Sequence, residues 1–101
     1  MGEKLPMNLL HGEAMTPDAA RVMRRLCRHW GHKYVVRFDE NSGEIQLNDV
    51  KVAMRVAPDR LHVTLENPTG EIADRLPGVV AEHLVRMAGT EPPLQVDWKH
   101  S

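Results

Sequence analysis

The stretch Leu26–Lys33, L-C-R-H-W-G-H-K, gathers the only cysteine, two of the six histidines and one of the two tryptophans into eight residues. A thiol and two imidazoles are the donor set of a transition-metal site, and a thiolate beside an imidazole is the arrangement of a cysteine nucleophile. Spacing decides between these chemistries. On a helix each residue advances by ~100°, so Cys27 and His29 point about 200° apart and cannot reach one ion. Cys27 instead shares the apolar stripe of Met23 and Trp30, where a small buried side chain with an unreactive thiol is expected; a nucleophilic or redox thiol is the alternative. His29 and His32 lie at a helix end, where an imidazolium is favoured by the dipole and the last carbonyls need donors; a ligand-binding or proton-transfer role is the alternative. His83, three residues after Val80 and four before Met87, falls in or beside a second apolar stripe. It reads as a satisfied boundary residue, or else as an imidazole facing a pocket between helix and sheet.

The clearest charge feature is a basic run. Arg21, Arg24, Arg25 and Arg28 occupy the helix side opposite the stripe, and Lys33 and Arg37 follow with no acid between Arg21 and Arg37. Either this is a solvated face or it serves an anionic ligand or an acidic partner. Nucleic acid fits poorly. Thirteen Lys and Arg against fourteen Asp and Glu give a net charge of −1, and no aromatic side chains interleave with the arginines. Acids gather elsewhere, at Glu71, Asp74 and Glu82. The chain contains no glycine-rich phosphate loop, H-E-x-x-H, G-x-S-x-G or C-x-x-C, so the expectation is a non-enzyme with no metal and no cofactor.

The elements that must position these residues follow from periodicity. Leu9–Met15 reads as a short edge strand. Thr16-Pro17-Asp18 supplies a hydroxyl N-cap, a first-turn proline and an acid, and Ala19, Val22, Met23, Leu26, Cys27 and Trp30 then form one helical stripe closed by Gly31. The period switches to two through Tyr34–Phe38, Ile45–Leu47, Val50–Val56 and Leu61–Leu65, with turns at 40–43, Asn48-Asp49 and Pro58-Asp59. These connections are too short for crossovers, so the strands form an antiparallel meander. Ile72 to Met87 is helical, divided at Pro77 into a short first helix and a main helix that Gly89 closes; Leu94, Val96 and Trp98 mark a last strand. The result is one α+β domain over 1–101, ordered β-α-β-β-β-β-α-β. It forms a two-layer sandwich with an antiparallel sheet of about five to six strands and both helices on one face, residues 1–8 being a flexible tail. A single cysteine and the lack of any signal-like or membrane-length apolar run make the cytoplasm the expected location.

Taken together, A-R-V-M-R-R-L-C-R-H-W-G-H-K, A-P-D-R-L, V-V-A-E-H-L-V-R-M-A and L-Q-V-D-W resemble a bacterial family known as domain of unknown function 2218, over about Ala14 to Trp98. The resemblance implies a small stand-alone protein or an accessory domain associated with siderophore-interacting, flavin-dependent ferric reductases. It marks Cys27, His29, His32, Lys33, His83, Asp97 and Trp98 as the positions to test. Two functions are then expected. One is a module binding an anionic small ligand such as a ferric siderophore, or a siderophore-related flavoprotein, through the Arg21–Arg28 run, Lys33 and the histidines. The other is an interaction domain, monomer or weak homodimer, that docks a partner through an edge strand, with Leu9, Leu10, Leu94 and Val96 suited to the contact. Metal or haem binding through His29 and His32 is a weaker third reading.

Overall fold

Alternation in the strands places one side chain in two against the helices, and this sets the layers. In the computed structural model, which describes residues 8–100, the elements are β1 (Leu9–Met15), α1 (Ala19–Trp30), β2 (Val35–Phe38), β3 (Ser42–Leu47), β4 (Val50–Val56), β5 (Arg60–Glu66), α2 (Leu76–Ala88) and β6 (Gln95–His100). The six strands make one antiparallel sheet in the order β2-β3-β4-β5-β1-β6. Leu10, Ala14, Ile45, Leu47, Val52, Met54, Leu61, Val63 and Leu65 are buried from the sheet, against Val22, Met23, Leu26 and Cys27 of α1 and Val80 and Leu84 of α2. This is the expected α+β two-layer sandwich. The tail expected over residues 1–8 lies outside the described residues up to residue 7, while the Asn8 carbonyl accepts a hydrogen bond from the Asn67 N–H at 2.9 Å. No helix among the described residues is long and apolar enough to cross a membrane.

Three local expectations are corrected. β1 is interior, pairing β5 on one side and β6 on the other, because the chain returns after α2 and lays β6 along the edge that β1 would have offered. Gly12 permits that pairing: a Cβ there would sit 2.5 Å from a ring carbon of Trp98, so only a bare backbone lets the indole cross β1. Helix α1 starts at Ala19 with Asp18 as N-cap, later than the Thr16-Pro17 start. The Thr16 hydroxyl accepts from the Asp18 N–H at 3.0 Å and shapes the turn ahead of the helix instead of capping it. Both glycines close their helices as expected, Gly31 in an ordinary right-handed conformation, φ −63°, and Gly89 in the left-handed one, φ 59°, that favours glycine.

The third concerns the region before Pro77, where no helix forms. Residues 68–75 are turn and coil, held by one side chain: the buried Asn67 amide donates to the Glu71 carbonyl at 2.9 Å and accepts at 3.1 Å from both the N–H and the hydroxyl of Thr69. An asparagine that bonds its own following backbone competes with the helical ladder and wins here. Helix α2 then begins at Leu76 with Pro77 in its first turn, where the missing N–H costs nothing.

Candidate ligand cavity

Trp30 is the last residue of α1, and its indole, 8 % exposed, lies across the interhelical gap from His83 on α2, with ring centroids 4.7 Å apart. His29, one residue earlier, brings its imidazole to 5.5 Å from the His83 ring. Tyr34 stands edge-on to Trp30, at 6.4 Å and 90°. This aromatic group exists because α1 and α2 pack side by side and because the α1–β2 connection folds back, the Tyr34 N–H donating to the Trp30 carbonyl at 2.8 Å. Within it the His83 Nδ1–H donates to the Val79 carbonyl at 2.7 Å, so in the neutral ring Nε2 is left with a lone pair and can accept.

Beside this group opens a cavity of about 610 Å³. Trp30, Tyr34, Val79, Leu76 and His83 form its apolar and aromatic wall, and the β3–β4 turn with the 67–75 segment forms its polar wall. Asn48 holds the turn in the left-handed conformation, φ 56°, which asparagine tolerates, and its carbonyl accepts from Gln46 Nε2 at 2.8 Å. Asp49, Glu71 and Arg75 bring charge to the rim. A volume of this size, an aromatic wall and a few convergent polar groups are the features of a small-molecule site.

The structure separates the ten candidate residues. His29 and His83 meet beside the cavity; His32 and Lys33 are exposed on the connection to β2, with the Lys33 ammonium 5.7 Å from the Tyr34 ring centre. Arg21 donates to the Ala88 carbonyl at 3.4 Å and pairs with Asp18 at 3.5 Å, while Arg25 donates to the Met87 carbonyl at 3.0 Å. Both arginines thus cap the C-terminus of α2, supplying donors and positive charge to its last carbonyls. Arg24 is half-buried beside a second cavity of about 580 Å³ near the start of α1, and Arg28 is exposed. Asp97 and Trp98 fall on opposite faces of β6: Trp98 packs inward over Gly12, and Asp97 projects outward opposite Glu13. Cys27 is fully buried, and that burial pushes its thiol up from 9.0 to about 11. Among the described residues no three His, Cys, Asp or Glu side chains are placed to hold one metal ion.

Sequence reasoning missed most of the cavity. Asn48, Asp49, Asn67, Glu71, Arg75 and Val79 come from turns and helix starts whose spacing carries no chemical signature; Trp30 and Tyr34, four apart, were adjacent enough to suggest one site. The outward face of the sheet was also missed. There His11 and Thr64 share a hydrogen bond at 3.2 Å, Arg60 donates to Glu13 at 2.9 Å, and His62 lies 3.8 Å from Glu13, around a shallow cavity of about 300 Å³.

Fold and cavity together define a small antiparallel α+β domain whose helix ends and sheet rim enclose a ligand-sized space. The chain belongs to the family described as uncharacterized protein conserved in bacteria, DUF2218, whose model matches residues 11–99. It is similar to PA4090 from Pseudomonas aeruginosa, whose structure was determined by NMR: the two are 35% identical, with a TM-score of 0.70 over 92% of this chain and 96% of that one. No curated protein matches the chain.

Proposed function

We propose that the domain is a non-catalytic binding module whose cavity between α1, α2 and the β3–β4 turn takes a small molecule carrying a planar aromatic or conjugated group. The observation that carries this reading is the aromatic wall: Trp30, Tyr34 and His83 line a space of about 610 Å³, within the range of ordinary small-molecule sites. Stacking on Trp30 and a hydrogen bond to His83 Nε2 would set the orientation of the ring. The family resemblance supplies the ligands to try first, namely ferric siderophores and flavins, and a siderophore-linked flavoprotein as the partner that would use them; haem follows from the weaker reading of His29 and His32.

Charge ranks these ligands. Asp49 and Glu71 face the cavity against the single guanidinium of Arg75, and Arg21 and Arg25 are engaged at the end of α2. A neutral, zwitterionic or cationic aromatic ligand therefore meets less opposing charge there than a polyanionic ferric catecholate does. An anion bound elsewhere would have to rely on Arg24, Arg28 and Lys33.

The test is a two-dimensional NMR titration of the purified chain with each compound, following the Trp30 indole N–H and the His83 ring. Saturable shifts at both, lost in His83→Ala, are the expected result. Absence of any saturable shift at these groups up to millimolar ligand would remove the cavity as a binding site. Shifts confined to Arg24, Arg28 and Lys33 would move the site to the basic helix face.

A further inference from the structure

One end of the sheet is the short strand β2, and among the described residues no strand pairs its outer side. Val35 is 73% exposed and Phe38 41% exposed, large apolar side chains on a strand with a free rim. The direction of the free backbone groups follows from the hairpin. The Asp39 N–H donates to the Ser42 carbonyl at 2.9 Å, so Asp39 and Ser42 form a hydrogen-bonded pair. In the same register the pairs two and four residues on, Arg37↔Glu44 and Val35↔Gln46, are hydrogen-bonded as well. Val36 and Phe38 between them turn their N–H and C=O groups away from β3, into solvent.

We propose that a second copy of this chain adds to that edge, antiparallel, about a two-fold axis at Val36. Two features together select this register. The first is backbone phase. With the axis at Val36, each Val36 N–H reaches the partner's Val36 carbonyl, and each Phe38 N–H reaches the partner's Tyr34 carbonyl; the Tyr34 N–H, already given to Trp30, is not needed. Moving the axis to Arg37 would still bond through Val36 and Phe38 but would set Arg37 against the partner's Arg37, whereas pairing Val36 with Arg37 would turn groups already bonded to β3 toward the interface. The second feature is side-chain complementarity. The axis sets Lys33 opposite the partner's Asp39, His32 opposite the partner's Glu40, and Tyr34 opposite the partner's Phe38, while Val35 lies along the stem of the partner's Arg37. Opposite charges and aromatic pairs directly across antiparallel strands are the favourable combinations. The two sheets would join into one of twelve strands with the helices on a common face, through a contact small enough to make the dimer weak and concentration-dependent. Leu10 and Leu94, expected to serve an edge contact, are buried and so do not offer one at the β6 end.

Sedimentation-velocity runs from micromolar to millimolar concentration test the proposal, with two variants at exposed positions that leave the core untouched. Lys33→Glu faces the partner's Asp39 and is expected to weaken association roughly threefold to tenfold; Val35→Glu faces the partner's Arg37 and is expected to strengthen it by a similar factor. Amide exchange at Val36 and Phe38 should slow as concentration rises. A chain that stays monomeric at millimolar concentration overturns the proposal, as does a dimer that both variants weaken alike or one that leaves those amides unprotected.

Discussion

At the scale of single residues, burial decides chemistry before reactivity can. Cys27 is enclosed by the sheet, with its Sγ 3.1 Å from where a Cβ on Gly43 would stand, and its thiol ionises only near pH 11. In the unfolded chain it ionises near 9.0. The folded state thus holds the proton more tightly, and the stability tied to this group is fully present below about pH 9, then lost as the pH rises through 9 toward 11. Two pH units of difference correspond to about 3 kcal/mol. Thermal melts of the wild-type chain should therefore fall with pH above 9 more steeply than those of Cys27→Ala, and the native thiol should react with iodoacetamide at pH 8 only as fast as the chain opens. Equal slopes for the two proteins would show that Cys27 is not held away from water. The cysteine was legible in the sequence, because its spacing from Met23 and Trp30 is a core spacing whatever its chemistry. The histidines were not legible in this way: His29 and His83 are 54 positions apart, and only the packing of α1 on α2 reveals that they meet while His32 stands apart.

At the scale of elements, the order, number and layering of strands and helices followed from periodicity; β1 became interior because β6 returns along it, and two further departures trace to side chains that bond their own backbone. Thr16 shapes a turn where a cap was expected, and Asn67 organises a loop where a short helix was expected; neither choice leaves a mark in the apolar pattern. Arg21 and Arg25 belong here too, for a row of arginines on a polar helix face reads the same whether it meets solvent or the carbonyls at the end of α2. Asn67 offers the sharper test. It is 6 % exposed and carries three hydrogen bonds that fix the 67–71 loop, so Asn67→Ala should destabilise the domain by about 2 kcal/mol, the loss of two to three ordinary hydrogen bonds at ~0.5–1.5 kcal/mol each. Thr69→Ala removes one of those bonds at an exposed position and should cost about 1 kcal/mol or less. Urea unfolding followed by circular dichroism separates the two; equal losses would mean that the loop is held by something other than the Asn67 amide.

At the scale of the whole molecule, the core and the cavity are built by different means. The core lies between the middles of the elements, where periodicity governs, while the cavity is bounded by their ends: the last residue of α1, the first turns of α2, the β3–β4 turn and the loop that Asn67 holds. That is why the fold could be read from the sequence and the site could not. It also gives the cavity a thermodynamic signature, since a ligand seated there contacts four segments that are adjacent only in the folded chain. At a concentration 100 times its dissociation constant such a ligand stabilises the native state by about 2.7 kcal/mol, and for a domain of this size that raises the melting temperature by roughly 10–20 °C. Val79→Trp tests the location without disturbing the core. Val79 is 38% exposed on the cavity wall, so an indole there can occupy the space a ligand would use while the buried stripe of Val80 and Leu84 is left intact. The variant should melt within a few degrees of the wild type when free and should show no ligand-induced rise. A rise equal to that of the wild type would place the bound molecule outside the cavity, against the basic face of α1 or the outward face of the sheet.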